Sequence, residues 1–203
     1  QDATIYSLFP NMNTGLDEII EATETSFAYS TPNPQTSRFL INFSEDEIDD
    51  VLENKIGISS SAQLLNNNLW KANLQCFIAT STGLQSDTTV ECYPVSGSWD
   101  MGTGRYLDDP LTTNGTSWYW QDYSGSKLWA TNNYAPYSTG SYTGSSPNNF
   151  INPYAGGGTW WTSYEASQTF SYSTADINMN IKPLLQFWCQ CNKEFHTFCY
   201  GVW

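Results

Sequence analysis

SGSWDMGTGRYLDDPLTTNGTSWYWQDYSGSKLW, residues 96–129, decides how this chain is read. It holds Trp99, Trp118, Trp120 and Trp129, five of the chain's 14 glycines, a DDP turn and few aliphatic residues. The stretch does not read as helix, because glycine costs about 1 kcal/mol and proline about 3 in a helix interior. A long, polar, Trp-rich stretch between apolar strands is how β-sandwiches build the loops at their ends.

The flanking sequence supplies those strands. DATIYSLF (2–9) alternates and then runs apolar, and PNMNTG (10–15) is a turn cluster. Residues 16–27 read as either a strand with an acidic outer face or a short helix. RFLINF (38–43) predicts a strand with Phe39, Ile41 and Phe43 on one face. In LWKANLQCFIAT (69–80), Trp70, Ala72, Leu74, Cys76 and Ile78 alternate, again as a strand. TTVECYPV (88–95) places Val90 and Cys92 inward, with Pro94 marking a strand end or an edge. Residues 131–159 read as a long loop, 159–173 as one or two strands, and 176–188 as a strand alternating at Ile177, Met179 and Ile181.

One helix is predicted, over SEDEIDDVLENK (44–55). Ser44 with Glu47 makes a capping box, acids crowd the first turn, and Lys55 and Gly57 close it. Ile48, Val51 and Leu52 lie at helical spacing and are expected inside, which leaves the acidic face to solvent.

Charged residues are 13% of the 203-residue chain, against about 25% in ordinary domains. The chain is polar through hydroxyls and amides. With seven Lys and Arg and a net charge of −13, it lacks the positive footprint that nucleic acid or an anionic membrane surface requires. No stretch approaches the roughly 20 apolar residues of a membrane span, and none reads as a signal peptide.

Five cysteines, an odd count, argue against a disulfide scaffold. Cys76 and Cys92 read as small buried hydrophobes, and free thiols suit a reducing compartment. Cys189, Cys191, His196 and Cys199 form C-x-C-x4-H-x2-C, too tightly spaced for a zinc knuckle, so no metal site is assigned. The single histidine lies in this tail without a catalytic partner in view, and no enzyme is expected. The tail, 189–203, breaks with the composition before it. It marks either a special element or a change of reading frame near residue 186, and a single domain is expected over 1–188.

Four pieces in order carry a resemblance. They are DATIYS with NMNTG, RFLINFSEDEI, VECYPVSGSWDMGTG with DDP, and DINMNIKPLL. Together they resemble the DNRLRE-type carbohydrate-binding modules, jelly-roll β-sandwiches of secreted bacterial proteins. With GSWDMGTGRY and GGGTWW, the chain is also similar to the variant found in virion proteins of tailed, often marine, bacteriophages. The resemblance implies an all-β jelly-roll β-sandwich with one short helix and long aromatic-rich loops. It implies a non-enzymatic component of a virion tail, baseplate or capsid decoration, in contact with other virion proteins or copies of itself. The alternative it implies is a secreted, extracellular module or fibre adhesin that binds cell-surface glycan.

The candidate binding residues serve either role. Trp99, Trp118, Trp120, Trp129, Trp160 and Trp161 supply rings for a sugar platform or a subunit contact, and Asp100, Asn114 and Asp122 supply polar partners. The competing reading is that Trp99 and one of each Trp pair belong to the core. No cofactor is expected. Calcium is the one ion weighed, because PNMNTGLDE (10–18) and DMGTGRYLDD (100–109) cluster oxygen ligands, though neither has the spacing of an EF-hand.

Overall fold

The computed structural model describes residues 1–25, 35–66, 68–80, 87–95, 97–129, 157–158, 160–161, 164–170, 176–190 and 198–200. Most of the regular structure is strand, with a few short helices. The strands are β1 (Asp2–Tyr6), β2 (Thr23–Thr25), β3 (Gln35–Ile41), β4 (Asn73–Phe77), β5 (Thr88–Cys92), β6 (Trp120–Asp122), β7 (Lys127–Leu128), β8 (Ala166–Phe170), β9 (Asp176–Asn180) and β10 (Phe198–Tyr200). The helices are α1 (Glu45–Asp50), α2 (Ser61–Leu65) and α3 (Lys182–Gln190), and a π-helical turn over Val51–Ile56 continues α1.

β3 is the centre of the largest sheet. β1 pairs antiparallel along one edge, with Thr4 opposite Phe39. β2 and β10 share the other edge, at Gln35–Ser37 and at Leu40 and Ile41. The expected one-sided strand is therefore buried on both faces. Phe39 enters one hydrophobic cluster with Leu52, Trp70, Leu74, Val90, Met179 and Leu184. Leu40 enters a second with Ile5, Tyr93, Val95, Trp99, Trp118 and Trp129. The run from β5 to Val95 divides in the same way, since Val90 and Cys92 face the first cluster while Tyr93 and Val95, beyond the strand end, face the second. Phe43 is not inside as its spacing predicts, but lies beyond the strand end and is exposed.

The other ladders are antiparallel pairs, β4 with β9, β5 with β8 and β6 with β7. β8 and β9 are joined through a side chain. Gln168 Oε1 accepts the Asn178 N–H at 2.6 Å, and Gln168 Nε2 donates to Asp176 O at 3.4 Å. The outer edge of β1 is closed in the same manner. Thr14 Oγ1 accepts the Thr4 N–H at 3.0 Å and donates to Thr4 O at 2.6 Å, so a side chain occupies the place a neighbouring strand would take.

The alternation in β4 and β9 is as expected, with Leu74, Ile177, Met179 and Ile181 buried. Three helical expectations change. Ser44 caps α1 by accepting the Glu47 N–H, but the helix widens after Asp50 into the π-helical turn, which ends at Gly57 with φ +78°. Val51, expected inside, is 38% exposed, while Leu52 is buried. α2 was not expected. The strand predicted over 176–188 stops at Asn180, whose Oδ1 accepts the Lys182 N–H at 3.1 Å, and Pro183 opens α3.

The cysteine reading is also corrected. Cys92 is buried, but it is disulfide-bonded rather than a free apolar thiol. Cys76 is the one free cysteine among the described residues, and burial raises its thiol pKa. Within the 189–203 tail, β10 (Phe198–Tyr200) pairs with β3. The side chains of Cys189, Cys191, His196 and Cys199, and the loop expected over 131–159 except Gly157 and Gly158, lie outside the described residues.

Candidate functional site

The Trp-rich stretch does not fold as a free loop. It is tied to the turn after β1 through Asn13, which is fully buried. Asn13 Nδ2 donates to Met101 O at 2.7 Å and to Thr116 O at 2.8 Å, and its Oδ1 accepts the Gly104 N–H at 2.7 Å and the Gly15 N–H at 3.3 Å. One amide side chain thus uses both donors and both lone pairs to hold three segments. Glycine makes this approach possible. A Cβ on Gly115, at φ +76°, would lie 2.5 Å from Gly102 Cα, and one on Gly104 would collide with Asn13 O.

Three of the candidate rings are consumed by this packing. Trp99, Trp118 and Trp129 are core residues of the second cluster. Their rings are buried within the chain. Trp129 Nε1 donates to Ser117 O at 2.9 Å, and the Trp118 ring lies 4.9 Å from the guanidinium carbon of buried Arg38. Trp160 is half-buried and lies against the same guanidinium, at 5.1 Å. Arg38 Nη1 donates to Gly157 O at 2.6 Å, and a Cβ on Gly157, itself at φ +79°, would collide with that group. Two rings therefore pack against one cation. Trp120 is half-buried, bonded through Nε1 to Asn11 Oδ1 at 2.9 Å and edge-on to Tyr123. Trp161 is exposed and meets Phe187 edge-on. The six rings are thus not one surface.

The three polar candidates do converge. Asp100, Asn114 and Asp122 line one depression of about 360 Å³ with Gln1, Thr103 and Ser124. The two carboxylates are each held by their own turn, and Asn114 is held across eleven residues. Asp100 Oδ1 accepts the Gly102 N–H at 2.8 Å, Asp122 Oδ1 accepts the Gly125 N–H at 2.9 Å, and Asn114 exchanges bonds with Thr103 at 3.0 and 2.7 Å. Trp120 and Asp122 are two apart on β6 and share its outer face, with Gln121 buried between them. The wall is a set of hydrogen-bond acceptors and donors, suited to hydroxyl groups, and no aromatic ring among the described residues lines it. Asp108 is elsewhere, accepting from the Arg105 N–H and the Thr112 hydroxyl in the DDP turn. Among the described residues no three His, Cys, Asp or Glu side chains gather as metal ligands.

Compared with family models, curated proteins and solved structures, the chain matches none. The site is therefore read from its own geometry.

A surface missed by the sequence adjoins this region. Leu8, Leu16, Tyr106, Leu107 and Leu111 are exposed on segments that bond to one another. The bonds run from Asn13 N to Thr112 O, from Leu16 N to Gly104 O and from Tyr106 N to Asp17 Oδ1. Tyr106 packs on Tyr6 and Phe9. Leu107 is 53% exposed and sits at φ +56°, a conformation that L-residues with bulky side chains rarely adopt. Its backbone N–H points at Met12 Sδ, 3.3 Å away. In the sequence these leucines are scattered singly, so no periodicity announces them.

Buried polar groups were also missed. Arg38 is the one charged residue of β3 in a chain with seven Lys and Arg, which is a usable signal of an internal partner. Tyr93 has no such signal. Its hydroxyl lies 2.8 Å from Glu91 Oε2 and 3.1 Å from Glu165 Oε2. Burial, then the hydrogen bond and charge of Glu91, push its phenol pKa well up.

Proposed function

We propose that this chain is a non-enzymatic structural component of a tailed-phage virion, a jelly-roll β-sandwich that works through contacts with neighbouring virion subunits. The observation that carries the reading is Leu107. The fold spends about 1–2 kcal/mol to hold a leucine in a left-handed conformation, yet leaves half of its side chain in water among other exposed leucines. A subunit contact repays that cost, and sustained strain at an exposed apolar residue is characteristic of interaction sites. The resemblance to virion modules and the absence of a basic footprint point the same way. The disulfide at Cys92 suits a particle exterior better than a reducing cytoplasm.

Light scattering on the full chain tests this reading. A concentration-dependent oligomer that Leu107→Asp disperses, with the circular dichroism spectrum unchanged, is the expected result. A chain that stays monomeric, and whose Leu107→Asp variant behaves identically, removes it.

A second reading, glycan binding, is favoured by the meeting of Asp100, Asn114 and Asp122 in one depression, with Trp120 on the same face of β6 as Asp122. Its test is a glycan array. Binding abolished by Asp122→Ala and by Trp120→Ala supports it, whereas an array without hits removes it.

A further inference from the structure

A second depression, of about 270 Å³, lies between the helical stretch 45–56 and the segment leading into β4. It is walled by Ile48, Val51, Leu52, Ile56, Trp70 and Leu185. Pockets for whole small molecules run to roughly 300–1,000 Å³, so this groove is sized for an anchoring side chain. Its floor is rigid. Trp70 Nε1 donates to Leu64 O at 2.9 Å, and the ring carries the Lys182 ammonium 4.5 Å from its centroid. That ammonium also donates to Trp70 O at 2.8 Å and Asn66 O at 3.1 Å, which fixes the loop beneath.

The lip is apolar. Val51 is 38% and Ile56 40% exposed along the groove, at the two ends of the π-helical turn. π-Helical turns are rare and recur at functional sites. The electrostatics name the partner's sign. Glu47 lines the groove, Asp46 and Glu53 stand on the same helical stretch, and Lys55 there is already paired with Asp50 at 3.5 Å. Lys71 is the cation on the opposite wall. The whole chain carries −13, so its field also favours a basic partner.

We propose that this groove receives an amphipathic segment of another polypeptide. One bulky aliphatic or aromatic side chain enters over Trp70, and lysine or arginine beside it faces the acidic helical stretch. The inference is independent of the virion reading and of the Asp100 depression.

Methyl-labelled full chain is titrated with a synthetic leucine-anchored peptide flanked by lysines, and with the same peptide flanked by glutamates. The lysine peptide is expected to shift the Ile48, Val51 and Ile56 methyls saturably and to lose affinity as salt rises. Val51→Asp, at a half-exposed position, should weaken it about tenfold. Glu47→Lys, which leaves the apolar wall intact, should weaken it about threefold. Methyl signals distant from the groove report that each variant is folded. Equal binding of the glutamate peptide, shifts outside the groove or no binding of either peptide overturns the proposal. So do groove shifts produced by raising the protein concentration alone, which would assign the surface to a second copy.

Discussion

Asn13 Oδ1 accepts the Gly104 N–H at 2.7 Å across 91 positions of chain, and Gly104 has no space for a Cβ because the Asn13 carbonyl fills it. The first turn of the protein and its Trp-rich stretch are therefore one structural unit. The amide of Asn13 is chemically specific here, since its two donors face two carbonyl oxygens.

Asn13→Asp tests that specificity. A carboxylate places negative charge against the Met101 and Thr116 carbonyls and gives up both donors, so a loss of about 2–4 kcal/mol is expected at neutral pH. Burial among acceptors raises the pKa of the new carboxyl in the folded state. Its protonated form is then favoured by folding, and stability lost at neutral pH returns as pH falls. Urea unfolding at neutral and acidic pH measures both effects, and a pH-independent loss sinks the argument.

Gly115→Ala tests the close approach. The added Cβ meets Gly102 Cα at 2.5 Å while the backbone sits at φ +76°. Strain and collision together are expected to cost at least about 2 kcal/mol. Gly57→Ala is the control, because it shares the positive φ but meets nothing within 4 Å. Its cost should be about 1 kcal/mol. Equal losses would show that steric contact at Gly115 adds nothing.

Cys92→Ala and reduction should act alike. Loss of a native disulfide costs about 2–5 kcal/mol, so thermal unfolding of the wild type in reductant should approach that of the variant. Cys76→Ala, which removes a free, partly buried thiol, should shift the midpoint less. A wild type insensitive to reductant under unfolding conditions would contradict the assignment.

Alkaline stability follows from two phenols. Tyr6 is buried and donates to Glu21 Oε2 at 2.8 Å, and burial, then that hydrogen bond and charge, raise its pKa well above 10.0. Tyr93 is raised from the same starting value by burial and by Glu91 and Glu165. Raised folded values mean that the stability is fully present below pH 10, where the unfolded phenols are still protonated. It is lost progressively as pH climbs above 10 toward the folded values. The urea midpoint should fall over that range, and Tyr6→Phe combined with Tyr93→Phe should flatten the fall.

Leu107→Gly separates strain from contact. Glycine accepts φ +56° without penalty, so the isolated chain should gain up to about 1 kcal/mol. The same change removes the exposed side chain and should weaken self-association or docking. A variant that is less stable as a monomer would mean that Leu107 serves the fold rather than a partner.

The sequence by itself determined what depends on near neighbours. Leu74, Ile177, Met179 and Ile181 face inward because alternation is a property of successive residues, and Ser44 and Gly57 bound the helical stretch because capping acts within one turn. The start of α3 at Asn180 and Pro183 is equally local, but the alternation running into Ile181 reads as strand. The turns at Asp100 and Asp122 are local, whereas their convergence with Asn114 depends on bonds between the segments, Asp100 N to Gln121 O and Thr116 N to Asp100 O. Tertiary structure alone decided which tryptophans are core, that Asn13 and Arg38 are internal fasteners, that Cys92 is bonded, and that Val51 turns outward. In an irregular stretch an aromatic ring has no period to reveal its face. Its burial depends on segments brought together from a hundred residues away, and that choice is made by packing.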